Sequence, residues 1–186
     1  MYLSKGIVLR PSPIDSVLVH RCGTEYRLTP EQSRIWLSGR FSVGSAEEAA
    51  DRQALGELAN LGLAEFNADD DPSSVYRILS NCVLCKAELK MIHAPLSPAE
   101  KKLWVWIDQA GFMLTVCELV YLMEHRIKPE PNLLGKQNWH TLVSTIYTTE
   151  TIFDGILLSE MEHAPACTET VESILGLLRK KRLILI

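Results

Sequence analysis

The chain lacks any apolar run approaching the roughly 18–20 residues needed to cross a bilayer, which excludes a membrane-spanning helix. Its opening residues, Met1-Tyr2-Leu3-Ser4-Lys5-Gly6, hold no long apolar stretch, so no signal peptide is indicated. Cysteines are few: five, an odd number, irregularly spaced. That does not make a disulfide framework and suits reduced thiols in a cytoplasm. Positive charge is not in excess either. The formal net charge is −4, and residues 1–93 carry 10 basic and 12 acidic side chains against 9 and 11 in residues 94–186. Neither half is a cationic nucleic-acid platform as a whole, although a local patch can still bind phosphate. A Gly-rich phosphate loop, a Gly-x-Ser-x-Gly elbow and a His-Glu-x-x-His pair are all missing, and the five histidines are scattered. No catalytic residue and no cofactor is therefore expected. What the chain does have is 47% apolar residues over 186 positions, enough to build a core in one large domain or two small ones.

It also says one phrase twice. Leu28-Thr29-Pro30-Glu31-Gln32 with Ile35-Trp36 recurs as Leu96-Ser97-Pro98-Ala99-Glu100 with Leu103-Trp104. Each copy sets a hydroxyl N-cap before a proline, where the hydroxyl satisfies an orphan N–H and the proline costs no hydrogen bond. A second echo pairs Leu55-Gly56-x-Leu58 and Leu63 with Leu175-Gly176-x-Leu178 and Leu183. Two related modules with shared opening and closing helices follow from this. Trp36 and Trp104, at equivalent positions, are expected to share a core role.

In the first module, Pro11 and Pro13 suggest an irregular entry, and residues 17–22 and 25–28 form a hairpin turning at Gly23-Thr24. A helix runs from Pro30 to Gly39. A second is capped by Ser45 with Glu48 three residues on, and presents Ala50, Ala54, Leu55, Leu58 and Leu61 as an apolar stripe. Then come an alternating strand at 63–66, an acidic loop at 67–74 and a second alternating strand at 75–79. Helix, glycine, strand, polar loop, strand is the order of a recognition helix and its wing, and residues 17–79 resemble a winged-helix module. The short link between helices makes the segment similar to the compact winged-helix peptide-recognition domains of peptide-modifying systems. The expected fold is mainly α with small β-hairpins, in two winged-helix-like modules. The compact one spans 1–80, a connector 81–95, and a helix-expanded one 96–186. The second carries helices near 97–110, 115–123, 136–149, 152–163 and from Thr168 to about Lys181, and closes with a strand at 183–186.

Cys82-Val83-Leu84-Cys85 is the one metal-like motif. Tetrahedral zinc needs four ligands, no second pair exists, and Cys22, Cys117, Cys167 and His93 are scattered, so the pair is read as buried thiols and no metal is expected. The helix beginning Lys136-Gln137-Asn138-Trp139-His140-Thr141 offers amides able to read adenine edges, with Ser144 and Thr145 on its polar face. Arg179-Lys180-Lys181-Arg182 complements the dipole of the last helix and offers phosphate contacts. Lys136, Gln137, Asn138, His140, Thr141, Arg179, Lys180, Lys181 and Arg182 are the duplex-DNA candidates. Against them, the first module's recognition-like helix and wing carry Glu47, Glu48, Asp51, Glu57, Asp69, Asp70 and Asp71, which repel phosphate. That module better suits a protein or peptide partner, with Tyr76 on the presumed strand 75–79 and Trp106 and Trp139 as interface anchors. The resemblance to bacterial winged-helix transcription regulators implies DNA binding, and a homodimer that would juxtapose two basic patches. The regulator is the leading expectation; the acidic charge implies the alternative, an adaptor that never touches DNA.

Overall fold

The computed structural model describes residues 1–8, 16–69, 71, 73–87, 94–150 and 154–186. Pro11, Pro13, Asp70, His93 and the start of the helix expected at 152 lie outside them. The described residues form an α+β fold in which helix, at about 49%, outweighs small antiparallel sheets at about 14%.

The N-terminal part is laid down by β1 (Tyr2–Ser4), β2 (Ile7–Val8), β3 (Leu18–Arg21), β4 (Thr24–Arg27), α1 (Pro30–Ser38), α2 (Ala49–Asn60) and β5 (Ala64–Phe66). Strands β2, β3 and β4 make one antiparallel sheet in that order. The hairpin turns on Cys22 and Gly23, both with positive φ (50° and 83°), so Thr24 is already paired with Arg21. Two consecutive left-handed residues suit the twist of a two-residue hairpin, and this moves the turn one residue ahead of the Gly23-Thr24 expected from sequence.

Helix α1 opens as expected. Thr29 and Gln32 form a reciprocal capping box around Pro30. Helix α2 does not. It is capped at Glu48, with no side-chain bond, and Ser45 takes no part. Gly44 exchanges both backbone hydrogen bonds with Tyr2 at 3.0 Å, which holds the chain extended just before Ser45.

A larger departure lies at 75–79. Ser74–Ser80 is a helix, α3, and there is no wing strand there. The acidic loop turns the chain instead. Asp71 accepts hydrogen bonds from the Ser73 N–H and hydroxyl, at 2.8 and 2.7 Å, and its carbonyl accepts the Ser74 N–H. The buried set Tyr76, Ile78 and Leu79 is compatible with either period over so short a run, and the local turn decides. The partner of β5 is therefore β1, with Tyr2 opposite Phe66 and Ser4 opposite Ala64.

After α3 come β6 (Leu84–Lys86), α4 (Pro98–Gln109), α5 (Val116–Glu124), a 3₁₀ turn (Lys136–Asn138), α6 (Trp139–Ile146), α7 (Asp154–Glu162), α8 (Ala166–Arg179) and β7 (Leu183–Leu185). Strand β6 was hidden in the expected connector; it pairs antiparallel with β7, Leu84 opposite Leu185. Helix α8 begins before Thr168 because Glu124 reaches over from α5 to accept the Ala166 N–H at 2.8 Å. Both copies of the repeat thus end alike: the strand before the helices pairs with the strand after them.

Two apolar clusters result. One gathers Tyr2, Val19, Leu28, Ile35, Trp36, Leu55, Leu58 and Leu63. The larger gathers Leu3, α3, α4, α5, α8 and β7 residues, so α3 packs with the second half although sequence places it in the first. Strand β1 serves both, sending Tyr2 one way and Leu3 the other.

The repeated caps are not equally loaded. Ser97 and Glu100 form their box, but Glu100 is only 5% exposed, also pairs with Lys180, and lies against Gly176, where a Cβ would strike its carboxylate. Desolvation pushes the Glu100 carboxyl up, and Lys180 and Ser97 together outweigh it, leaving its pKa below the ordinary 4.5. A depressed folded-state pKa means this stabilisation is complete above pH 4.5 and disappears as the pH falls through the folded value. Glu100→Gln is accordingly expected to cost about 1 kcal/mol at pH 7 and progressively less below pH 4.5, read from urea unfolding at a series of pH values.

Candidate functional site

The two basic segments fold apart. Lys136 follows Gly135, whose N–H donates to Gln109 at the end of α4, and its backbone lies against Gly111 just beyond that end. Lys180 pairs with Glu100 in the first turn of α4. A 12-residue helix puts the two about 18 Å apart. Much of their chemistry is also used internally. The Asn138 amide donates to the carbonyls of Pro131 (2.9 Å) and Leu134 (2.8 Å), and the Ser144 and Thr145 hydroxyls both turn back onto the Thr141 carbonyl. Arg182 lies over the Trp104 ring at 5.4 Å, and Lys181 over Phe41 at 5.7 Å. Lys136, Gln137, His140, Thr141 and Arg179 remain exposed.

The three interface candidates separate too. Tyr76 is 1% exposed, donates its hydroxyl to the Leu158 carbonyl at 2.8 Å, and has its pKa pushed up by burial. Trp106 is fully buried. Both are core residues because α3 and α4 turn these faces inward, so neither anchors a partner on the surface. Trp139, at 44% exposure, stands outside beside His140. Within the repeat, Trp36 is fully buried as expected. Trp104 is only half-buried, with Lys86 and Arg182 over its ring, and Trp106 two residues on takes the buried place.

The thiols of Cys82 and Cys85 diverge. Cys82 donates to the Ile78 carbonyl at the end of α3, and burial pushes its pKa up to about 12; Cys85 sits on β6 with its sulfur 3.5 Å from that of Met113. Among the described residues no three His, Cys, Asp or Glu side chains gather as metal ligands.

The feature that sequence reasoning passed over is the outer edge of β4. Leu28 donates its N–H to the Val17 carbonyl at 3.0 Å, which makes that pair a bonded one in the β3–β4 ladder. Bonded and non-bonded pairs alternate, so Val19–Tyr26 and Arg21–Thr24 are bonded as well. The N–H and C=O groups of Glu25 and Arg27 therefore point away from β3. Nothing among the described residues pairs with them, and both residues are exposed. Tyr26 is held from below, half-buried against the first cluster with Val19 fully buried beside it. A rigid strand thus offers two donor–acceptor sets about 7 Å apart, flanked by one acidic and one basic side chain. The alternation Thr24-Glu25-Tyr26-Arg27 is visible in the sequence. Only the pairing order shows that this strand is left at an edge.

No protein-family model matches the chain, and neither a curated protein nor a solved structure is significantly similar to it.

Proposed function

We propose that the protein is a non-enzymatic adaptor that binds an extended segment of a partner protein or peptide by strand addition to β4. The observation that carries this reading is the outward backbone of Glu25 and Arg27, unpaired among the described residues, on a strand fixed to a packed core. An exposed edge of this kind supplies main-chain hydrogen bonds for affinity, and its side chains supply selection. Here the selection favours a segment with a basic residue facing Glu25 and an acidic one facing Arg27. The wing strand on which the winged-helix resemblance rested is helix α3, so the adaptor reading stands on the β4 edge and not on that resemblance.

Duplex-DNA binding has less support. Lys180 and Arg182 are engaged within the chain, the two basic segments sit at opposite ends of α4, and the net charge is −4. DNA affinity rests mainly on free cations tracking phosphates.

The test is selection of peptides from a random display library on the full chain, with Arg27→Pro as the counter-variant. Proline there removes an outward N–H without breaking the β3–β4 ladder. Selected peptides are expected to shift the amide resonances of residues 24–27 and to bind Arg27→Pro at least about tenfold more weakly. Equal binding to the variant, or no selected peptide, would sink the reading. Tight, salt-sensitive binding to duplex DNA in its place would restore the regulator.

A further inference from the structure

The open edge of β4 is complementary to itself. Side chains alternate along the strand, so Glu25 and Arg27 share the solvent face of the sheet and Tyr26 turns to the first cluster. The two residues whose backbone groups point outward are therefore the two that carry opposite charge. Both are exposed, and neither is in an ion pair among the described residues.

A second copy of the strand, laid antiparallel across a two-fold axis at Tyr26, meets both features at once. Glu25 of each copy comes opposite Arg27 of the other. Each such pair is a bonded one, since its N–H and C=O groups are the outward ones, and the two pairs make four main-chain hydrogen bonds. Tyr26 lies opposite Tyr26 as the non-bonded pair between them. Charge also fixes this register. A slide of two residues sets Glu25 against Glu25 in one direction and Arg27 against Arg27 in the other, and like charges directly opposite destabilise a ladder. A slide of one residue sets outward backbone groups against those of Tyr26, which are already bonded to β3.

We infer that in the absence of a partner segment the β4 edge is covered by β4 of a second copy of this chain. The isologous dimer joins the two β2-β3-β4 sheets into one continuous sheet. The inference rests on the same open edge as the adaptor reading and adds its regulation: a partner segment binds only by displacing the second copy, so the monomer is the receptive form. The contact is short, ended by the Cys22–Gly23 turn on one side and the Thr29 cap of α1 on the other. Two surface ion pairs and one short ladder put the dimer in the transient class, weak enough for a peptide to exchange with it.

The test is sedimentation velocity of the full chain up to about 1 mM, with two charge variants. Glu25→Arg leaves only cations on the edge and Arg27→Glu only anions; both positions are exposed, so the core is untouched. Because of the two-fold axis, each substitution turns both ion pairs into repulsions. The parent is expected to pass reversibly from monomer to dimer, and each variant alone to dimerise at least about tenfold more weakly. An equimolar mixture of the two variants restores opposite charges at both crossings and is expected to dimerise to within about threefold of the parent. Mixing cannot rescue a variant that has merely lost its fold. A parent that stays monomeric, a variant that dimerises like the parent, or a mixture no tighter than its components would overturn the inference. A dimer that persists when a peptide selected on the β4 edge is saturating would overturn it too. The adaptor reading fails separately, by yielding no selected peptide whether or not the chain dimerises.

Discussion

Replacing Tyr2 with alanine is expected to lower the unfolding free energy by about 4 kcal/mol, the range measured for deleting a fully buried aromatic ring. For a chain of this length that is a fall in Tm of roughly 10 °C. The ring is completely buried and is gripped from two sides by glycines. A Cβ on Gly44 would lie 2.5 Å from its Cζ, and one on Gly39 would also strike the ring, so these two neighbours have no side chain to fill the void. The hydroxyl donates to the Ile35 carbonyl at 2.9 Å, and the Tyr2 backbone closes the two-way bond with Gly44. Tyr2→Phe separates these contributions. The Ile35 carbonyl still accepts the Gly39 N–H at 3.1 Å, so the loss there is about 1 kcal/mol. Gly44→Ala keeps the ring but forces it off its seat, at about 1–3 kcal/mol. Urea unfolding of the three variants orders them. A Tyr2→Ala loss no greater than that of Tyr2→Phe would mean the ring is not the anchor of the first cluster.

The same tyrosine shows where the sequence stops being legible. The capping boxes at Thr29/Gln32, Ser97/Glu100 and Thr115/Glu118 are all present, because a box is settled within four residues. Ser45 has the same credentials and fails, because Gly44 is claimed by a residue more than forty positions earlier. Residues 75–79 alternate like a strand over a length too short to fix the period, and Asp71 and the two serines at 73 and 74 decide for helix. Strand β6 could not be read at all. Three residues in a connector become a strand only when β7, about a hundred positions later, lies beside them. The candidate site follows the same rule. The hairpin that contains β4 was legible from its composition, while its free edge is a property of the order β2-β3-β4, which pairs β3 on both sides and β4 on one. Lys180 and Arg182, by contrast, form a conspicuous run, yet the fold spends their charge on Glu100 and Trp104.

Glu65→Leu is expected to be nearly as damaging, at about 3 kcal/mol, although Glu65 is itself a partly exposed strand residue. The cost falls on Lys5. Its side chain is 4% exposed, its ammonium lies 2.5 Å from the Glu65 carboxylate, and its one other acceptor among the described residues is the Asn81 carbonyl at 3.4 Å. Removing the carboxylate leaves a charge in the interior with one long hydrogen bond among the described residues. Lys5 also sits where the two halves are sewn together. Its N–H donates to Leu63 and its carbonyl accepts the Trp36 indole N–H, both in the first cluster, while Asn81 ends α3 in the second and the next residue, Gly6, donates to Leu185 of β7. Lys5→Met with Glu65→Leu removes both charges and fills the space with apolar atoms. The double variant is therefore expected to recover most of the loss, since a buried pair and an apolar replacement of similar volume differ little in stability. A double-mutant cycle by urea unfolding measures the coupling. Additive losses in the two single variants would show that the ion pair does not couple these residues, leaving the backbone bonds of Lys5 and Gly6 and the packing of Leu3 to join the halves.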